Sequence, residues 1–262
     1  MRVALFVTCL VDFFRPAVGR ASLRLLRAAG CEVVVPRGQT CCGQPAFNAG
    51  DRKNARKVAA RTVVQLDGHE HVVVPSASCA AMLRHQYPEL LEGTDVHDAA
   101  ERVSGRTHEL TAFLADRAPG FRVEADWPET VCYHDSCQAL REMGVREQPR
   151  RLLGAVKGLR LVEPAHPEEC CGFGGTFCVK YPDVSNHMVS RKAKDVLETG
   201  ATTLCSTDMG CLLNIAGKLA REGAYVRVRH VAELLGGDGD TAPIAGSPAR
   251  RTPEARPREG GQ

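Results

Sequence analysis

The stretch CCGQPAF at residues 41–47 is followed later in the chain by ECCGFGGTF at residues 169–177. Both stretches contain two adjacent cysteines and then a glycine. The chain has 262 residues and 12 cysteines in total. Cysteines at this density in a chain of this size, without a secretion signal, are not typical of a disulfide framework, which belongs to small secreted domains. They indicate metal or redox chemistry.

Single cysteines flank each pair at matched distances. The first cysteine precedes its pair by 32 residues in the first half and by 33 in the second. The last cysteine lies 38 residues after the start of the pair in the first half and 41 in the second. This agreement predicts a duplicated unit with small loop insertions. The matched cysteines are Cys9, Cys41, Cys42 and Cys79 in the first half, and Cys137, Cys170, Cys171 and Cys211 in the second.

Short apolar runs alternate with amphipathic helical patterns in both halves. The predicted strands of the first half are VALFVTC, EVVVP and HVVVPS, and those of the second half are TVCYH, LRLVEP, TTLCS and YVRVRH. The stretch THELTAFLADR between them has the pattern of a helix. This order predicts an α/β fold of two Rossmann-like βαβαβ halves with mostly parallel sheets, related by pseudo-two-fold symmetry.

We divide the chain into a first cysteine-rich half at residues 1–125, a second at residues 126–236 and a tail at residues 237–262. The tail is rich in glycine, proline and charge. It has too few apolar side chains to offset the entropy of ordering, so we predict that it is disordered.

Composition argues against several functions. The formal net charge is only +3 and the arginines are scattered, so nucleic acid is not an expected partner. No apolar run reaches the length of a membrane span and the N-terminus lacks a cleavage site, so we expect a cytoplasmic protein without membrane insertion. The sequence contains neither a GxGxxG nor a P-loop pattern.

The matched cysteines all lie beyond the carboxyl ends of predicted parallel strands. Open α/β sheets bind ligands at that edge. Helices begin at or near these cysteines, and helix N-termini favour the thiolate over the thiol. Four thiolates at one sheet edge are therefore a candidate metal site in each half.

The spacing also bears on the identity of the metal. Structural zinc sites usually use close C-x-x-C pairs, and two adjacent cysteines do not easily reach one tetrahedral ion. An iron–sulfur cluster presents several iron atoms to separate thiolates and suits the pair better. Gly43 and Gly172, directly after the pairs, allow close backbone approach and leave amides for the cluster sulfides. A structural zinc protein remains the alternative.

Several longer motifs resemble a known family. The motifs are CLVDFFRP, TCCGQPAFNAG, PSASCAAML, YHDSCQALREMG, ECCGFGGTFCVKYPDVS and DMGCLLNIAG. Across residues 3–235 the chain resembles the CCG-domain cysteine-rich proteins, in particular the lactate utilization protein A branch. The wider family includes cysteine-rich subunits of heterodisulfide reductase, glycolate oxidase and anaerobic glycerol-3-phosphate dehydrogenase.

The resemblance implies an iron–sulfur electron-transfer subunit that works with two partner subunits to oxidise L-lactate to pyruvate. The substrate of the complex would then be a small 2-hydroxy acid. A thiol–disulfide oxidoreductase subunit of the heterodisulfide reductase type, or an iron–sulfur subunit of a glycolate or glycerol-3-phosphate oxidase, remains an alternative.

The chain departs from the fullest family motif, which ends in C-x-x-C. Ser76 and Asp208 stand where the first cysteine of that motif would be. In heterodisulfide reductase the full motif is associated with noncubane clusters that cleave a disulfide. With four cysteines in each half, one or two ordinary 4Fe-4S clusters are the simpler expectation.

Other residues near the motifs have less specific signals. Cys31 and Cys132 lie in or beside apolar strands and are expected to be buried apolar residues. Cys178 and Cys205 stay open as ligands. His134 is expected to be either a structural histidine or a hydrogen-bond donor to a cluster sulfide.

Two charged residues follow Cys9 closely. Asp12 is expected to be a carboxylate at a helix start, and Arg15 a solvated charge.

Overall fold

Short parallel strands form the centre of each half. The computed structural model describes residues 1–245. Within them, two four-stranded sheets have the orders β2-β1-β3-β4 and β6-β5-β7-β8, and every pairing is parallel. The strands are β1 (Arg2–Leu5), β2 (Glu32–Val34), β3 (His71–Val74), β4 (Thr107–Glu109), β5 (Thr130–Tyr133), β6 (Arg160–Val162), β7 (Thr203–Ser206) and β8 (Arg227–His230). The predicted α/β fold of two duplicated halves is confirmed.

Helices connect the strands and cover the sheets. They are α1 (Cys9–Phe14), α2 (Pro16–Ala28), α3 (Gln44–Asn48), α4 (Arg52–Leu66), α5 (Ala77–Ala81), α6 (Tyr87–Leu90), α7 (His97–Arg106), α8 (Leu110–Asp116), α9 (Cys137–Arg141), α10 (Glu147–Gly154), α11 (Phe177–Lys180), α12 (Pro182–Glu198), α13 (Met209–Arg221) and α14 (Val231–Leu235). A π-helical turn at Met82–Gln86 joins α5 to α6. Because helices cover both faces, the central strands β1, β3, β5 and β7 are almost fully buried, as is typical of parallel sheets.

The segment predicted as one helix at THELTAFLADR divides into a strand and a helix. Thr107–Glu109 forms β4, which pairs with β3, and α8 begins at Leu110. The Glu109 carboxylate accepts hydrogen bonds from the backbone N–H groups of Thr111 and Ala112 and so caps α8. Pairing with a neighbouring strand and this cap override the local helical pattern.

The last helix of each half packs against the other half. Helix α8 of the first half packs on α10 of the second, and α14 of the second half packs on α2 of the first. One hydrophobic core accordingly contains Leu25 and Phe113 from the first half together with Leu153 and Leu234 from the second. The duplicated units are therefore interlocked.

A buried ion pair joins the two halves at this crossing. Arg15, at the start of α2, donates to the Glu233 carboxylate in α14 from Nε at 3.0 Å and from Nη2 at 2.6 Å. The Arg15 side chain is 11% exposed and that of Glu233 is 0% exposed. The prediction of a solvated charge at Arg15 is wrong, because the residue that buries it is more than two hundred positions away in the sequence.

The first residues of the predicted tail contact the second sheet. The backbone N–H of Ile244 donates to the carbonyl oxygen of Val228 at 2.8 Å. The N–H of Val228 donates to the carbonyl oxygen of Ala245 at 3.1 Å. Residues 238–239 and 244–245 thus contact β8, although the composition predicts disorder. The remainder of the predicted tail, 246–262, lies outside the described residues.

None of the helices within residues 1–245 is both long enough and apolar enough to cross a bilayer.

Candidate metal centre

All eight matched cysteines line one cavity. It has a volume of about 520 Å³ and lies at the carboxyl ends of both sheets, where the two halves face each other. The cysteines on its wall are Cys9, Cys41, Cys42, Cys79, Cys137, Cys170, Cys171 and Cys211. The sequence predicts one thiolate set in each half, and the fold brings both sets to a single space.

The four thiols of the first half form a connected set. Sγ of Cys42 lies 3.3 Å from Sγ of Cys79. Cys41 is hydrogen-bonded to the side chains of both Cys42 and Cys9. Cys9 is the first residue of α1, and Cys79 lies in α5, so strand ends and helix starts together fix the set.

The second half repeats this arrangement. Sγ of Cys171 lies 3.0 Å from Sγ of Cys211, and Cys170 is hydrogen-bonded to the side chains of Cys137 and Cys171. Cys137 is the first residue of α9, as Cys9 is of α1. Equivalent cysteines therefore make equivalent contacts in the two sets.

The thiols of each set shift one another's pKa in opposite directions. Hydrogen bonds from Cys42 and then Cys9 lower the pKa of Cys41 to about 3. Hydrogen bonds from Cys137 and then Cys171 lower the pKa of Cys170 to about 2. The same hydrogen bonds raise the pKa of Cys9 and of Cys137. In such a set, a metal cation can replace the protons that the sulfur atoms share.

The glycine after each pair is required by the backbone. Gly43 and Gly172 have φ of 85° and 77°, in the left-handed region. Their amides donate to Sγ of Cys41 and Cys170, each at 3.4 Å. A Cβ at Gly172 would also lie 2.8 Å from the carbonyl oxygen of Ser185 in α12. The positive φ angles agree with the predicted close backbone approach. That the amides contact cluster sulfides stays a prediction, since here they donate to cysteine sulfur.

Replacing Gly172 with alanine is expected to destabilise the protein more than replacing Gly50. Both glycines have positive φ, at 77° and 81°, but no atom lies within 4 Å of a Cβ built at Gly50. Gly50→Ala should therefore cost only the left-handed backbone strain, about 1–2 kcal/mol. Gly172→Ala adds a clash with backbone, and we expect at least about 1 kcal/mol more, measured by urea denaturation. Equal losses in the two variants would contradict this.

The residues that replace the first cysteine of C-x-x-C contact each other across the two halves. The Oγ of Ser76 donates to the Asp208 carboxylate at 3.4 Å. The backbone N–H and Oγ of Ser78 donate to the same carboxylate at 2.8 and 3.0 Å. Burial raises the pKa of Asp208, and the hydrogen bonds from Ser78 oppose that shift. The departure from the family motif thus supplies a polar contact between the halves at the cavity wall.

A second hydrogen-bonded contact between the halves was not predicted from the sequence. Nε2 of Gln44 donates to Oε1 of Gln138 at 2.7 Å and to the carbonyl oxygen of Ser78 at 3.2 Å. Gln44 and Gln138 each follow a matched cysteine motif, and this was the only signal available in the sequence.

His134 is close to the second set. One ring nitrogen and the Sγ atoms of Cys171 and Cys211 all lie within 4.8 Å of one another. The side chain is buried, and neither ring nitrogen has a hydrogen-bond partner among the described residues. Burial, and next the charge of Lys192, lower the pKa of His134 to about 3, so the ring is neutral near pH 7.

The other four cysteines do not line the cavity. Cys31, Cys132 and Cys205 are buried in the hydrophobic core, as expected for the first two. Cys178, in α11, donates to the carbonyl oxygen of Gly175 at 3.4 Å. The structure therefore brings together the eight matched cysteines and leaves these four apart from them.

The donor sets suit a metal or an iron–sulfur centre. Each half offers four sulfur donors, which are the ligands preferred by iron–sulfur clusters and by zinc. Two of the four are adjacent in sequence, with a glycine amide donating to the sulfur of the first. This chemistry is compatible with a cluster in each half.

The model of the CCG cysteine-rich domain matches the chain twice, at residues 3–84 and 131–216. The chain belongs to the CCG cysteine-rich domain family. Each match covers the cysteines of one set, so the two domains of the family correspond to the two thiol clusters at the cavity. This confirms the resemblance on which the sequence interpretation rests.

Relatives named lactate utilization protein A match nearly the whole chain. Lactate utilization protein A from Geobacillus kaustophilus is 45% identical over 236 residues, which are 90% of this chain and 98% of that protein. Lactate utilization protein A from Bacillus cytotoxicus is 44% identical, with the same coverage. The chain is therefore similar to lactate utilization proteins A over both CCG domains, which supports a role in lactate utilization.

A solved structure shares the fold. A hypothetical protein from Helicobacter pylori superposes with a TM-score of 0.65 at 7% identity, over 93% of this chain and 52% of that protein. The chain thus spans about half the length of that protein. At this identity the likeness concerns the fold alone.

Proposed function

We propose that this chain is the iron–sulfur electron-transfer subunit of a system that oxidises L-lactate to pyruvate. The eight matched cysteines would bind two 4Fe-4S clusters, one in each half. The observation that carries the proposal is the single cavity lined by both four-cysteine sets. Two redox centres at one cavity would be close enough to exchange electrons. Two sites at opposite ends of the molecule would be too far apart.

The electron count of the reaction and the sequence favour electron transfer over catalysis by this chain alone. Lactate oxidation releases two electrons, whereas an iron–sulfur cluster carries one at a time. The sequence offers no nucleotide-binding fingerprint for a hydride carrier. We therefore propose that the chain works in the cytoplasm with two further subunits, one of which binds the 2-hydroxy acid. The name of its relatives, lactate utilization protein A, supports this substrate.

Metal analysis tests the cofactor. Protein purified without oxygen is expected to contain iron and acid-labile sulfide in equal amounts, at about eight atoms of each per chain if both halves hold a 4Fe-4S cluster. Stoichiometric zinc without sulfide would contradict the proposal and favour the structural zinc protein. Metal content is the most direct of the measurements, since it requires no partner.

Activity measurements test the role. The purified chain alone is expected not to oxidise L-lactate, and activity should appear when the partner subunits are added. Rapid oxidation of L-lactate by this chain alone would overturn the electron-transfer assignment.

Two close thiol pairs favour a second candidate, a thiol–disulfide oxidoreductase subunit. The sulfur atoms of Cys42 and Cys79 lie 3.3 Å apart, and those of Cys171 and Cys211 lie 3.0 Å apart. Oxidation of either pair would form one S–S bond and release two protons and two electrons to an acceptor disulfide. Reduction of an added disulfide by the iron-free, prereduced protein would favour this candidate, and it requires no cluster.

A further inference from the structure

His134 and Phe6 occupy equivalent positions in the two halves. Each precedes the first cysteine of its set by three residues. The backbone N–H of Phe6 donates to the carbonyl oxygen of Val73 at 3.0 Å, and that of His134 donates to Cys205 at 2.8 Å. The same hydrogen bond to the neighbouring strand shows that the two side chains start from matching points. The duplicated fold thus places an aromatic ring without a donor in one half and an imidazole in the other.

The buried ring of His134 has no hydrogen-bond partner among the described residues, and two cysteine sulfurs lie near it. The residue is 1% exposed, and both ring nitrogens lack a partner among residues 1–245. A neutral imidazole carries one N–H, and a buried N–H without an acceptor is costly. Sγ of Cys171 and Sγ of Cys211 are within 4.8 Å of a ring nitrogen, and they are the candidate acceptors.

A nearby buried charge does not account for the asymmetry by itself. Lys192 is fully buried in α12. Its Nζ binds the Asp195 carboxylate at 3.2 Å and also contacts the carbonyl oxygen of His166. The Asp195 carboxylate offsets part of the Lys192 charge at the His134 ring, since the two charges have opposite signs. The two sets also differ in charge at the cavity wall, where Asp208 of the second half contacts Ser76 of the first. The effect of His134 is therefore compared within the second set.

We propose that His134 donates an N–H hydrogen bond to a thiolate sulfur of the second set, and that this raises the reduction potential of the second site. The inference rests on the proposed function, because it requires a redox centre in each half. It assigns His134 as a positioning and tuning residue, and it makes the two CCG domains unequal.

The direction follows from charge. A centre gains one negative charge when it is reduced, and an N–H donor stabilises the more negative state more strongly. Phe6 offers no such donor to the first set. We expect the hydrogen bond to change the ratio of reduced to oxidised centre about tenfold at a fixed potential, which corresponds to about 59 mV for a one-electron couple.

Full-length chains with a single intact set allow the test. In a chain carrying Cys41→Ser and Cys42→Ser, the second set is the only complete one, and its midpoint potential is measured by redox titration monitored by electron paramagnetic resonance. Adding His134→Phe, which installs the residue of the other half, is expected to lower that potential by about 59 mV. In a chain carrying Cys170→Ser and Cys171→Ser, Phe6→His should raise the potential of the first set.

Two further variants separate hydrogen bonding from packing. Tyr133→Phe removes a buried hydroxyl from the adjacent strand position and should leave the potential unchanged. His134→Gln keeps an N–H donor and should retain most of the wild-type potential. If His134→Phe prevents cluster assembly, Phe6→His still decides the question, because it adds the donor to the first set, and an unchanged potential there would overturn the assignment.

The outcomes distinguish the two proposals. Absence of iron and sulfide from the wild-type chain would contradict the proposed function. If the Cys41→Ser, Cys42→Ser chain keeps its cluster and its potential is the same with and without His134→Phe, only the assignment of His134 is overturned. An equal fall in the Tyr133→Phe control would also overturn it, because the effect would then come from general packing.

Discussion

Serine at Cys41 and Cys42 is expected to remove the metal centre of the first half and to leave that of the second in place. Each half supplies its own four thiols, and the Sγ–Sγ contacts of 3.3 and 3.0 Å lie within a half. Iron and sulfide should therefore fall by about half, since one of the two clusters is lost. The matched variant, with serine at Cys170 and Cys171, should give the same content from the opposite half.

Both double variants are expected to abolish lactate oxidation in the reconstituted system. An electron path that uses both centres is interrupted by the loss of either. Cys31→Ser is the matched control, because Cys31 is buried away from the cavity. This variant should retain its iron content and activity. Circular dichroism checks that each chain is folded. Loss of all iron from one double variant would show that the sets depend on each other, and full activity without both pairs would contradict an electron-transfer role.

Breaking the ion pair between Arg15 and Glu233 is expected to destabilise the protein strongly. The pair is 2.6 Å long, and the Glu233 side chain is 0% exposed. Arg15→Met would leave a buried carboxylate without its cation, which typically costs about 3–5 kcal/mol. The free energy of unfolding from urea titration measures the loss. We expect the apparent transition to shift for both halves together, because α14 packs on α2 in a shared core.

An exposed pair of similar length provides the control. Arg52 and Glu89 are 2.7 Å apart, with side chains that are 51% and 62% exposed. Arg52→Met should cost less than about 1 kcal/mol, because water and salt screen exposed charges. In the double variant Arg15→Met, Glu233→Gln, part of the loss should be recovered, since no unpaired charge stays buried. Comparable losses in Arg15→Met and Arg52→Met would show that burial does not govern this pair.

Local patterns were sufficient for most of the strands and for the place of the matched cysteines at the strand ends. The apolar runs that end near Cys9 and Cys137 become β1 and β5, and the adjacent cysteines follow β2 and β6. These predictions succeed because the strand pattern depends on neighbouring residues. The residues that follow parallel strands then lie at the same edge of the sheet. The division of THELTAFLADR was not predictable in the same way, because β4 exists only where β3 offers it a partner.

The sequence by itself determined that the chain is a duplicated α/β protein with two sets of four cysteines at strand ends. The tertiary structure alone decided that both sets meet at one cavity, that Arg15 is buried against Glu233, and that Asp208 contacts Ser76 of the other half. It also decided which sulfur atoms lie near His134. The physical reason is that these contacts join residues far apart in the chain. Burial, hydrogen bonding and pKa at such a point depend on how the two halves pack, which no local pattern specifies.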